Sequence, residues 1–228
     1  MVGPAATIAS RVGRGRRRYG ARACGLVLTL TTVAAQAAGT PLDSYLDELK
    51  TLRATFQQTV SDAHGNEIDR ATGTLIVSRP GKFSWEIHPR TSGSSRGQLM
   101  VCDGTNLWFL DRDLEQVTVK PVDAALSATP AMLLSAVTDV RKSFSLTPAG
   151  TRAGLEWVLV EPRDAEADFR SALFGFAGAE LKRMILEDKL GETTTISFGK
   201  IERNAPVAPA EVSFTPPAGA DVIGTPRK

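Results

Sequence analysis

Four groups of residues in this 228-residue chain carry side chains suited to chemistry. The first is Gly93-Ser94-Ser95-Arg96-Gly97, a G-x-S-x-G string that would make Ser95 a nucleophile. Such a serine needs a strand before the string and a helix after it, so that it stands on a strained elbow. The flanks here read as two strands joined by a polar loop over residues 88–97, so a serine hydrolase is the minority reading. The second group, Asp111, Asp113 and Glu115, is spaced like the start of a calcium loop. However, Gln116 stands where that loop turns on glycine and Val122 where a bidentate glutamate would close it. A solvated turn is the better reading. The third group is the two histidines, His64 and His88, which fall in turns with no nucleophile or metal-ligand spacing nearby. With no phosphate-cradling glycine loop, no CxxC pair and no paired carboxylates, we expect no enzyme, no metal and no cofactor.

The fourth group is the run Arg79-Pro80-Gly81-Lys82-Phe83-Ser84-Trp85-Glu86. Leu75 and Val77 alternate with Ile76 and Ser78. Phe83, Trp85 and Ile87 alternate with Lys82, Ser84 and Glu86. This is the period of two strands with one apolar face each, joined by a Pro-Gly hairpin. Arg79 shares its parity with Leu75 and Val77, so it leans towards the apolar face, where its five donors need acceptors. Two readings stay open: an arginine that snorkels to water, or a latch that bonds backbone carbonyls of another element across an apolar space.

The elements that would position these residues are mostly strands. Leu42, Tyr45, Leu46, Leu49 and Leu52 recur at three- and four-residue steps and predict a helix over residues 41–53, with Pro41 at its start. Strands are predicted over 56–62, 68–78, 99–102, 107–110 and 116–119 around the central hairpin. Thr129-Pro130 opens a second, apolar helix, and residues 135–141 form a further helical piece. Strands return over 144–147, 156–161, 172–176, 181–187, 193–201 and 212–215, before a loosely held tail at 219–228. About eleven strands in local hairpins predict a mainly β protein: one antiparallel sheet curled into an incompletely closed barrel. Such a barrel exposes a concave apolar face, and the helices around Leu46 and Leu133 are its candidate cover. The predicted lining is Leu75, Val77, Phe83, Trp85, Met100, Leu107, Phe109, Val117 and Val119. Ordinary core packing is the competing reading for these residues.

The formal charge of +2 hides a division. Residues 1–37 hold six arginines and no acid; the remainder has 21 basic and 25 acidic residues, a net of −4. That excludes a basic nucleic-acid surface. The arginines precede a short apolar run over 24–34 and then Ala35-Gln36-Ala37, which together read as a secretory signal cut after residue 37 or 38. The run is too short to span a bilayer. Cys24 precedes that run rather than following it in a lipobox, so lipid attachment there is not expected. Cleavage leaves Cys102 as a lone, buried thiol with no internal disulfide. Residues 38–228 then form one domain, with no sign of an oligomer interface.

Several short pieces, in order, resemble the LolA family of periplasmic lipoprotein carriers. They are Leu49, Leu52, Ala54, Phe56 and Gln58; Gly73-Thr74-Leu75; Arg79-Pro80-Gly81-Lys82-Phe83-Ser84-Trp85; Asp103-Gly104; Leu107-Trp108; Leu114-Glu115-Gln116-Val117; and Thr129-Pro130. Asp188, Leu190-Gly191 and Phe214-Thr215-Pro216-Pro217-Ala218-Gly219 complete the set. The resemblance implies an unclosed barrel whose helical lid encloses a hydrophobic cavity for lipoprotein acyl chains. It implies loading by the inner-membrane LolCDE transporter and delivery to the outer-membrane receptor LolB. Arg79 would hold the lid shut. Leu75, Val77, Phe83, Trp85, Met100, Leu107, Phe109 and Val117 would bind acyl chains, with Leu46, Met132 and Leu133 contributed by the lid. Two departures stand out: a longer, more polar loop after His88, and Cys102 where a small polar residue is usual. A carrier of another amphiphile, such as a glycolipid, fits the same features. The sister receptor would need a lipobox, and an envelope scaffold would need a solid core.

Overall fold

A capping box opens the first helix. In the computed structural model, which describes residues 39–90, 96–122, 130–135, 140–165, 167 and 169–227, the hydroxyl of Thr40 accepts from the Asp43 backbone N–H. The Asp43 carboxylate in turn accepts from the Thr40 N–H at 2.6 Å. With Pro41 in the first turn, the helix α1 spans Pro41–Glu48 and buries Leu42, Tyr45 and Leu46.

The sequence predicts that this helix continues to residue 53, but it stops at Glu48 and the chain is already extended at Leu49. Leu49 and Leu52 fit a helical period, yet Leu52, Ala54 and Phe56 also alternate. Strand neighbours on both sides decide for the alternation. Asn204 seals the break: its Oδ1 accepts from Lys50 N–H at 2.8 Å and Thr51 N–H at 3.3 Å, and its Nδ2 donates to the Glu48 carbonyl at 3.1 Å.

From there the described chain is almost all strand: β1 (Thr51–Ser61), β2 (Glu67–Ser78), β3 (Lys82–Pro89), β4 (Gln98–Asp103), β5 (Asn106–Asp111) and β6 (Gln116–Pro121). Two short helices come next, α2 (Pro130–Ser135) and α3 (Val140–Ser143). Then come β7 (Phe144–Arg152), β8 (Leu155–Pro162), β9 (Phe169–Ala177), β10 (Glu180–Asp188) and β11 (Thr193–Arg203), a 3-10 turn (Pro209–Val212) and β12 (Asp221–Ile223). All twelve strands form one sheet in the order β12-β6-β5-β4-β3-β2-β1-β11-β10-β9-β8-β7. Its edge strands, β12 and β7, do not pair, so the sheet is an unclosed barrel.

The C-terminal region departs from expectation. The strand predicted at 212–215 is instead the end of the 3-10 turn followed by unpaired chain. The tail expected to hang loose is fixed, because β12 lies parallel to β6 with Val222 opposite Val117. Gly224 makes this possible: at φ +102 its Cα runs so close to Val119 that a Cβ would sit 2.2 Å from the Val119 carbonyl oxygen. His88, expected in a turn, lies on β3 opposite Thr72. Residues 1–37 with Cys24, Ser95, Thr129 and the middle of the predicted helical piece at 135–141 lie outside the described residues.

Register sorts the apolar residues onto two faces. One row across the inner face reads Leu52, Val77, Phe83, Cys102, Leu107. The next reads Ala54, Leu75, Trp85, Met100, Phe109. The inner face also takes Phe174, Phe176, Leu181, Met184 and Ile196 from the second half, and α1, α2 and α3 pack over it. On this face Gly73 leaves room for the Phe56 ring, whose Cζ would be 2.4 Å from an added Cβ.

The outer face of β4, β5 and β6 carries a second cluster: Val101, Trp108, Leu110, Val117 and Val119, with Phe214 and Ala220 of the C-terminal segment laid over it. Val117 and Val119, predicted to line the concave face, therefore sit on the opposite side. Val117 is opposite Leu110 and Val119 opposite Trp108. β6 presents Thr118 and Lys120 to the inner side instead.

Candidate functional site

The turn between β2 and β3 is the meeting point of the sheet and its helical cover. It is a cis-proline turn at Arg79-Pro80, with Gly81 at φ +75. The Arg79 N–H donates to the Lys50 carbonyl at 2.9 Å, and the Gly81 N–H donates to the carbonyl of Ser135, the last residue of α2, at 2.7 Å. The Arg79 guanidinium reaches α1, where Nη1 donates to the carbonyl of Leu46 and, at 3.5 Å, to that of Leu49. These carbonyls belong to the end of the helix, where a cation is favoured. Burial lowers the Arg79 pKa, and the nearby Asp47 carboxylate works against that. An arginine stays charged under such a shift. Of the two readings open for Arg79, the geometry is that of an arginine bonded to another element's backbone.

Below the turn, the Cys102 thiol is fully buried and donates to the Gly81 carbonyl at 2.9 Å. Burial pushes its pKa up, which keeps it a thiol rather than a reactive thiolate.

The other end of α1 is fastened to α3. Arg141 Nε donates to Asp43 Oδ1 at 2.9 Å and its Nη2 to Asp43 Oδ2 at 2.5 Å. Burial alone would raise the Asp43 carboxyl. The Thr40 and Arg141 hydrogen bonds, with the Arg141 charge, outweigh that and hold it below the usual carboxylate range. A third tie, between Arg203 Nη2 and Glu48 Oε2 at 3.2 Å, reaches the last turn of α1.

Of the predicted lining, Leu75, Val77, Phe83, Trp85, Leu107, Leu46 and Leu133 are buried in the inner cluster, with Met100 and Met132 packed against it. Phe109 is half-buried and joins the inner row by register, opposite Met100. Trp85 meets Phe56 edge-to-face, with ring centroids 5.2 Å apart. Tyr45, on α1, meets Phe176 in the same way at 5.5 Å, with the Arg203 guanidinium 4.5 Å from its ring centroid. Burial pushes the Tyr45 phenol up to about 12. Sequence reasoning placed Tyr45 on the helix but gave it no role. It gave no signal for Asp43 and Arg141, which lie 98 residues apart.

Two of the acids weighed for metal binding serve turns and loops, and Ser95 lies outside the described residues. The end of the G-x-S-x-G string runs into β4, a strand, where an elbow needs a helix. Asp111 accepts from the N–H groups of Asp113 and Leu114, and Asp113 from that of Arg96, as turn-forming acids do. Among the described residues no three His, Cys, Asp or Glu side chains form a metal cluster, and no helix is long and apolar enough to cross a membrane.

The sequence that folds in this way has relatives among known proteins. Residues 47–215 match the family model described as Outer membrane lipoprotein carrier protein LolA. This chain belongs to the LolA family. A curated outer-membrane lipoprotein carrier protein of Dechloromonas aromatica is 42% identical over 183 residues, which covers 80% of this chain and 86% of the relative. One from Methylobacillus flagellatus is 37% identical, covering 80% and 87%. The family match takes in the Arg79 turn, the strand residues of both apolar clusters and the last two residues of α1. Leu46, Tyr45 and the parallel strand β12 lie beyond its ends.

Proposed function

We propose that this protein carries lipoproteins through the periplasm, holding their acyl chains against the inner face of the sheet beneath α1, α2 and α3. The observation that carries this reading is the bond from Arg79, at the rim of the inner face, to the carbonyls that end α1. It makes the cover a fastened part rather than a permanent layer of the core. Leu75, Val77, Phe83, Trp85, Met100, Leu107 and Phe109 are the acyl-chain floor, and Leu46, Met132 and Leu133 the underside of the lid. Residues 1–37 direct export and are removed. The inner-membrane LolCDE transporter loads the carrier, and LolB at the outer membrane receives the cargo.

The energetics suit a carrier. Each buried methylene contributes about 0.8 kcal/mol, so several long chains would bind too tightly to leave if all of that gain were kept. Opening the lid breaks the Arg79 bonds and exposes apolar helix faces, which offsets part of it. The remaining affinity is modest, and a donor or receptor that prefers one lid position shifts the balance. The test is release of newly made lipoprotein from inner-membrane spheroplasts with and without the purified protein. Release into the soluble fraction only when the protein is added supports the reading; equal retention in both refutes it.

A further inference from the structure

The chain has three tryptophans, and their indole N–H groups are treated differently. Trp108, on the outer face, donates to Asp103 Oδ2 at 2.7 Å. Trp157 donates to the Arg152 carbonyl at 3.0 Å. Trp85, only 6% exposed and in the middle of the inner face, has no protein acceptor for its Nε1–H among the described residues. One further donor of the inner cluster shares this condition: the hydroxyl of Tyr45, 3% exposed, on the helix that covers the face. A buried donor without an acceptor is destabilising, and native proteins rarely leave one without a reason.

Both sit where acyl chains would lie, one on the floor and one on the lid. Both are donors at neutral pH: the indole has no other state, and the phenol keeps its proton. A hydrocarbon chain offers neither of them an acceptor, whereas the carbonyl at the head of an acyl ester or amide does. We infer that Trp85 and Tyr45 are hydrogen-bond anchors for the ester or amide carbonyls of the bound acyl groups, so that the interior selects acyl linkages over bare alkyl chains. This rests on the carrier reading above and deepens it. Selection then comes from polar groups the protein leaves unmatched, which discriminate more sharply than an apolar pocket can.

The test compares two synthetic probes, a peptide with a diacylglyceryl cysteine and its dialkyl ether twin, which has the same chains and peptide but no acyl carbonyls, only the weaker ether acceptors. Binding is measured to the wild type and to Tyr45→Phe and Trp85→Phe. Tyr45→Phe keeps the ring and its contact with Phe176, so it guards against misfolding as the cause. We expect the wild type to favour the ester probe about tenfold, roughly threefold from each of the two hydrogen bonds, and each variant to lower that ratio to about three. A ratio of one in the wild type, or a ratio that neither variant changes, overturns the inference and leaves the carrier reading standing. Donors that hold only a bridging water would give that second result, since both probes would lose alike. Failure of the wild type to bind either probe would overturn both.

Discussion

The sheet buries apolar residues on both faces, and the two faces are finished differently. On the outer face, Trp108 packs against Phe214 with ring centroids 5.4 Å apart and its N–H goes to Asp103. Asp103 also accepts the N–H groups of Thr105 and Asn106, and Asn106 is tied to the Arg227 backbone in both directions, at 2.9 and 2.8 Å. Every one of these polar groups has a partner within the chain. On the inner face Trp85 and Tyr45 have no such partner among the described residues, and the cover is held by long polar side chains reaching to helix ends. The outer side is not fully matched either, since Arg112 Nη1 beside the C-terminal segment has no partner among the described residues; the contrast is between the two tryptophans, one bonded and one left for the proposed guest.

The largest effect should come from loosening the inner cover. Arg79→Leu removes a charged donor from the end of α1, and hydrogen bonds to charged groups contribute about 1.5–3 kcal/mol each. We expect lipoprotein hand-over to fall by about tenfold or more, with a smaller change in the urea midpoint of unfolding. Hand-over at the normal rate would mean that the cover does not depend on this bond.

A paired substitution sharpens the contrast between the faces. Trp108→Phe strands the Asp103 oxygen and should cost roughly 1–3 kcal/mol of stability. Trp85→Phe loses ring volume but also relieves the cost of an unmatched buried donor, so its net loss should be smaller, about 1 kcal/mol or less. Urea unfolding of both variants decides it, and equal losses would erase the distinction.

The smallest effect concerns acid. Burial alone would raise the Asp103 carboxyl, but hydrogen bonds from Asn106, Trp108 and Thr105, with the Lys82 charge, hold it below the usual range; Asp43 is depressed in the same sense. Groups with lowered native pKa values stabilise the fold above the unfolded carboxylate value, about 4, and lose that contribution as pH falls through the native value. Asp43→Asn should therefore cost about 0.5–1 kcal/mol at pH 7, because Arg141 is half exposed, and progressively less in acid. A cost that does not change between pH 7 and pH 3 would count against the Asp43–Arg141 tie.

Much of this was legible in the sequence because strand alternation is local. The Arg79 hairpin, the inner rows through Phe83 and Trp85 and the open-barrel class came from period and turn chemistry alone. What was missed depended on partners far along the chain. Leu52 fits two periods, and only its neighbours Val77 and Arg203 choose between them. Val117 looked like lining because alternation reveals that a strand has an apolar side, not which side of the sheet it is. The Asp111 to Gln116 turn set that, and the C-terminal segment hid the result. The latch reading of Arg79 came from parity, but its acceptors on α1 required the folded chain.

The parallel pairing of β12 with β6 has a consequence for how the chain assembles. β12 is the last strand to be synthesised, yet it flanks a strand made about a hundred residues earlier. The hairpins of the sheet and the helices α1, α2 and α3 can form while one edge of β6 is still unpaired. A chain lacking the residues from Asp221 onward would thus leave the edge of β6 bare to its neighbours and be more prone to aggregate while it folds.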